Sequence, residues 1–203
     1  AQIWTRLREN DKKYVNVMYD RVKKIAEAAA MMANVDYEMQ LISGIYEILP
    51  NRFGASIIQD NFKILGEIKY TDSEVNYANT ILRETGKELK GLDGKIKPIK
   101  PTLPAQGGST DVGDVSQVVP VVRLSTTTAA KDGPWHSWAV VACTGMSIGH
   151  KGMIYATKAL AMTMLDLYKN PKMIDGVKKE FVERKGDRVY VPQIPPGPPS
   201  LID

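Results

Sequence analysis

Val35-Asp36-Tyr37-Glu38-Met39-Gln40-Leu41-Ile42 alternates strictly, with Val35, Tyr37, Met39 and Leu41 on one side and Asp36, Glu38 and Gln40 on the other. That period of two predicts a half-exposed strand. Immediately before it, Val15, Met18, Tyr19, Val22, Ile25, Ala26 and Ala29 recur at three- and four-residue steps. They predict one apolar helical stripe over residues 11–33. Asn10 or Asp11 can cap the start of that helix, and Asn34 can close it in the left-handed conformation. Further back, Ile3, Thr5 and Leu7 alternate within residues 1–8, a second expected strand. Strand, helix and strand make a βαβ unit whose crossover is long enough for parallel pairing. Two strands alone leave open edges, so this unit is expected to belong to something larger.

Downstream, residues 52–65 read as a shorter helix, and Thr71-Asp72-Ser73-Glu74 is a capping box opening a helix that ends near Gly86. Residues 87–108 hold several Gly and Pro residues and little periodicity, which predicts a long loop. Residues 118–128 are β-rich, with Pro120 at a strand start or edge. Residues 139–143 read as a short apolar strand or buried turn. Ser147 is positioned to cap a helix over 148–168 with Met153, Thr157, Leu160, Ala161, Met164, Leu165 and Tyr168 as its stripe. Asn170-Pro171 opens a last helix to about Lys185, and a proline-rich tail occupies 192–203.

Composition narrows the classes. The chain has 203 residues, 43% hydrophobic and 25% charged, enough for a packed core. No apolar run reaches the roughly 18–20 residues of a membrane helix, and Ala1-Gln2-Ile3-Trp4-Thr5-Arg6 has no signal pattern. The expectation is a soluble, cytoplasmic protein with no membrane partner. The net charge of +4 comes from basic residues scattered among acids. The densest run, Lys95-Ile96-Lys97-Pro98-Ile99-Lys100-Pro101, reads as a solvated linker, so nucleic acid is not an expected partner.

The candidate chemistry is sparse. Gly107-Gly108-Ser109-Thr110-Asp111-Val112-Gly113-Asp114 is the densest polar cluster, a turn leading into a strand or short helix. His136 lies in Asp132-Gly133-Pro134-Trp135-His136-Ser137-Trp138; a lone loop histidine is usually ordinary, yet its tryptophans are also what a shielded ligand would want. His150 and Lys151 open the long helix between Gly149 and Gly152; they read equally as a surface histidine and lysine or as a helix N-terminus and lysine that favour an anion. A catalytic zinc needs about three protein ligands. This chain has two histidines fourteen residues apart and one cysteine, Cys143, expected to be structural. A self-contained metal site or catalytic triad is therefore not expected.

Taken together, Ser109-Thr110-Asp111-Val112-Gly113-Asp114-Val115-Ser116, Gly133-Pro134-Trp135-His136-Ser137-Trp138 and Ser147-Ile148-Gly149-His150-Lys151-Gly152-Met153 resemble the aminobenzoyl-glutamate utilization protein B family. Met18-Tyr19-Asp20-Arg21-Val22, Leu49-Pro50-Asn51-Arg52 and the proline-rich tail fit the same order. The resemblance places the chain beside the zinc aminoacylase and glutamate-carboxypeptidase superfamily. It implies an α/β fold: residues 1–47 as half of a ferredoxin-like lid and dimerisation domain, and residues 48–203 as the C-terminal part of a metallo-exopeptidase-like catalytic domain. It implies His136 as a ligand to zinc or manganese, and Thr110, Asp111, Asp114, His150 and Lys151 as support for the active site. Arg8, matched to a lid-strand arginine, is the candidate contact for a substrate carboxylate. The other metal ligands and the glutamate base belong to the family's N-terminal half, outside this chain. The expected activity is hydrolysis of an amide such as that of aminobenzoyl-glutamate, needing an N-terminal half or a partner chain, with a homodimer formed through residues 1–47. The alternative is a non-catalytic dimerising module on the same fold remnant.

Overall fold

The computed structural model describes residues 1–100, 108–194, 196 and 197. Seven helices are formed among them: α1 (Lys12–Ala33), α2 (Arg52–Leu65), α3 (Asp72–Glu84), α4 (Val112–Val118), α5 (Trp138–Thr144), α6 (Ser147–Lys169) and α7 (Pro171–Lys185). The chain divides into two compact units. The first comprises Ala1–Pro50, Thr102–Val121 and Phe181–Asp203, the second Asn51–Pro101 and Val122–Glu180.

In the first unit, Asp11 caps α1 by accepting from the Lys13 amide at 2.8 Å. Asn34 ends α1 at φ 51° and ψ 50°, the left-handed cap. The α1 stripe is only half covered: Val15, Met18, Tyr19, Val22 and Ala26 are intermediate, while Ile25 and Ala29 are exposed. α4 is seated by backbone contact. The Gly113 Cα lies so close to the Tyr46 carbonyl that a Cβ there would clash. Beside it the Ser116 hydroxyl accepts from the Leu49 amide at 2.8 Å, and the Gln117 amide donates to the Glu47 carbonyl at 2.9 Å.

The second unit holds the larger core. Ala78, Ile81 and Leu82 of α3 pack with Ala130, with Ala139 and Cys143 of α5, and with Ile148 of α6. α2 is capped by Asn51, whose side chain accepts from the Gly54 amide at 2.7 Å and donates to the Val177 carbonyl at 2.8 Å. α2 meets α6 through a buried polar bridge from the Asn61 amide to Thr163 at 3.1 Å and Asp166 at 2.8 Å. Phe62 stacks on Tyr155 at 5.3 Å beside that bridge.

Several expectations change. Residues 139–143 belong to helix α5, not to a strand. A short apolar run cannot distinguish the two by period, and the Ser137 cap, accepting from the Ala139 amide at 3.3 Å, decides for helix. α6 begins at Ser147 with Met146 at the cap position, so Ser147 does not cap it. Its hydroxyl instead donates to Glu74 at 2.6 Å. The segments 1–8, 35–42 and 118–128 carry no ladder among the described residues, and Val118 is the last residue of helix α4. Residues 87–100 and 108 are irregular, as a long loop requires, and 101–107 lie outside the described residues. Of the proline-rich tail 192–203, residue 195 and residues 198–203 also lie outside them.

Candidate functional site

His136 sits on a turn that local bonds define. The Ser137 hydroxyl donates back to the Pro134 carbonyl at 2.6 Å and also caps α5. This closes the chain so tightly that His136 adopts φ 57°, left-handed for a residue with a Cβ. Asp132 adopts φ 60° in the same loop and pairs with Lys90 at 3.0 Å. The imidazole is exposed between Trp135, 70% exposed, and Trp138, 55% exposed. Strain of this kind on a residue with chemistry to offer is characteristic of functional loops. Trp135 and Trp138 flank His136 in sequence, and neither they nor anything else buries it.

Around the start of α6 the glycines have a different use from the one expected. A Cβ at Gly149 would collide with the Thr144 backbone, and one at Gly152 would collide with the Thr127 carbonyl oxygen. The close approach is made by the chain's own backbone. Lys151 does find an anion. Its Nζ lies 2.6 Å from Glu74 Oε2, donates to the Lys69 carbonyl at 3.0 Å and sits 5.6 Å from the Tyr70 ring centroid. Glu74 also accepts from Ser147 and from the Thr71 amide, the latter at 2.7 Å. Burial would raise the Glu74 carboxyl, but the bonds from Lys151, Ser147 and Thr71 outweigh it and hold the group at about 2. Burial and the Glu74 charge push the Tyr70 phenol up to about 12. The result is a saturated ion pair joining α3 to α6. Glu74 was legible only as a capping residue; a buried carboxylate facing a helix N-terminus has no local sequence signal. His150 is exposed on α6 and forms no hydrogen bond or ion pair with His136.

In the first unit the Thr110 hydroxyl, not Asp111, receives the Val112 amide, at 3.3 Å, and reaches Asp111 Oδ1 at 3.4 Å. Asp114 accepts from the Tyr46 amide at 3.2 Å, and Tyr46 meets Tyr190 with ring centroids 5.3 Å apart. Burial first, then the Asp114 carboxylate, push the Tyr190 phenol up. Burial lowers Lys12, whose Nζ lies 5.9 Å from the Tyr46 ring centroid, against the pull of Asp114 and Glu47. Asp114 thus holds the Tyr46 segment in place. Arg8 is exposed in the segment before α1.

The described residues do not gather three or more His, Cys, Asp or Glu side chains in a group able to hold a metal ion. The residues present do not fit a complete metal site. No helix among them is long and apolar enough to cross a membrane.

Similarity to known proteins supports a peptidase or amidohydrolase family for this chain. One relative is a subunit of the p-aminobenzoyl-glutamate hydrolase of Escherichia coli (strain K12), 27% identical over 220 aligned positions, covering 96% of this chain and 46% of the relative. Another is Xaa-Arg dipeptidase of Mus musculus, 28% identical over 156, covering 77% of this chain and 30% of the relative. The chain therefore spans less than half the length of either. No family model and no solved structure matches it.

Proposed function

We propose that this chain is part of a metal-dependent amidohydrolase that cleaves an amide bond such as that of aminobenzoyl-glutamate. The observation that carries the reading is the pair of relatives: both names describe hydrolysis of an amide linkage, and both alignments cover most of this chain. In this reading the fold is the α/β arrangement that the alternating segments call for, and residues 1–47 form a homodimer contact. The exposed Ile3, Trp4, Ile25 and Met32 support a contact there. His136 offers one ligand to zinc or manganese, and its strained, exposed turn supports that role. The other ligands come from polypeptide equivalent to the part of the relatives outside the match. Glu74 and Lys151 fix the entry of α6, and Asp114 fixes the Tyr46 segment; neither pair is assigned a proton transfer.

The test is reconstitution. The chain is co-expressed with the portion of the E. coli relative outside the match, and hydrolysis of p-aminobenzoyl-glutamate is followed with and without zinc or manganese. Metal-dependent turnover is expected, and His136→Ala should lower kcat/KM by on the order of a hundredfold or more. A folded complex that remains inactive with both metals overturns the reading and leaves the non-catalytic dimerising module.

A further inference from the structure

A cavity of about 280 Å³ lies within the second unit, lined from α2, α6, Ile68 and the segments 93–97 and 125–127. Its apolar lining is Phe62, Ile68, Ile96 and Tyr155, all half-buried. Phe62 and Tyr155 are the stacked pair that joins α2 to α6. The other walls are bonded to one another and to α6. The Ile68 amide donates to the Gly94 carbonyl at 3.1 Å, and a Cβ on Gly94 would fall on the Ile68 carbonyl oxygen. The Thr127 hydroxyl donates to the Asp93 carbonyl, and the Thr126 hydroxyl donates to the Gly152 carbonyl at 3.2 Å. Walls tied in this way hold the space open before anything enters it, as small-molecule sites usually do.

The polar groups of the lining divide into spent and unspent. Thr126, Thr127 and Tyr155 have each given their one hydroxyl proton to a backbone carbonyl, Tyr155 to that of Gly66 at 2.7 Å. Asp93 is saturated by Lys97 at 3.0 Å, Lys131 at 3.5 Å and the Lys95 amide at 3.3 Å. The bond from Lys97, above all, holds its carboxyl below the usual carboxylate range. Two donors remain. The Lys95 ammonium and the Ser125 hydroxyl are exposed, line the cavity and have no partner among the described residues. Two lysines face one carboxylate, which leaves one positive charge in excess. We infer that this cavity is a binding site for a small monocarboxylate, held by its carboxylate on Lys95 and Ser125 and by its apolar body against Phe62, Ile68, Ile96 and Tyr155. Size sets the body. A dry cavity of roughly 150 Å³ takes benzene, and drug-sized ligands occupy roughly 300–1,000 Å³. The space of about 280 Å³ therefore suits one ring with its carboxylate. A cation would meet the unneutralised Lys95, and an inorganic anion would leave the apolar walls unused. None of the lining residues has a part in the amide chemistry proposed above, so the inference stands apart from that reading.

The experiment titrates benzoate into the full chain and reads the heat of binding. Saturation at one benzoate per chain is expected. Lys95→Ala should weaken binding at least about tenfold, since a charge-assisted hydrogen bond is lost. Ser125→Phe, which places a ring where the ligand enters, should abolish it. Both positions are exposed, so thermal unfolding of each variant should match that of the unaltered chain. Acetate lacks the apolar body and benzylamine reverses the charge, so each should bind at least about tenfold more weakly than benzoate. Three results overturn the inference: no saturable binding of benzoate, binding that neither substitution weakens, or acetate or benzylamine bound as tightly as benzoate.

Discussion

Glu74 receives Ser147 on one carboxylate oxygen and Lys151 with the Thr71 amide on the other, at 2.6, 2.6 and 2.7 Å. Its folded carboxyl, near 2, lies below the ordinary value of 4.5. The linkage has a definite sign: the stabilisation is complete above the ordinary value and is lost as pH falls toward the folded one. Urea unfolding of the chain should therefore show stability declining from about pH 5 to pH 2. Glu74→Gln should flatten that decline and cost about 1–3 kcal/mol at neutral pH. An unchanged slope in the variant would remove Glu74 as its source. His136 shows the complementary limit of reading residues from sequence. Its loop was legible from Gly133-Pro134, but the shielding expected of Trp135 and Trp138 is not found, since both are exposed along with it. Its left-handed backbone was not legible, because it depends on Ser137 bonding backward to Pro134 while capping forward.

Helix ends were the most legible elements, because the groups that define them are neighbours in sequence. Asp11, Asn34 and the Thr71/Glu74 box all act as their spacing predicts. The faces of α6 were not legible: Met153, Leu160 and Met164 of its expected stripe are exposed while Gly152, Ala159 and Thr163 are buried, since a period identifies an apolar stripe without saying which neighbour reaches it. The segments read as strands were ambiguous for the same reason, as a ladder needs an edge that alternation alone does not supply. The glycines of α6 turn this into a prediction. Alanine is ordinarily favoured over glycine inside a helix by about 1 kcal/mol. Gly152→Ala should invert that preference and destabilise the chain by about 1–3 kcal/mol, because its Cβ would meet the Thr127 backbone. Gly145→Ala, whose Cβ would make only an ordinary 3.6 Å contact, should be close to neutral. Equal thermal shifts for the two would show that the Thr127 segment simply yields.

The two units differ in how much they bury. Among described residues the first buries little beyond Ala30, Leu49, Gly113, Ser116 and Gln117, while the second holds the connected core of α3, α5 and α6. Hydrogen exchange should report this directly: amides of α3 and α5 should exchange at least about tenfold more slowly than those of α1. Uniform protection would mean that the units unfold together. The core of the second unit also contains Cys143, the chain's one cysteine, with no exposed surface. A thiolate must be reached before it can react, so modification of this chain has a single site and a single gate. The rate at which a thiol reagent consumes Cys143 is then a clock for the opening of one particular unit, readable without any engineered label. A ligand or partner that slows the clock has bound the state in which α3, α5 and α6 are together.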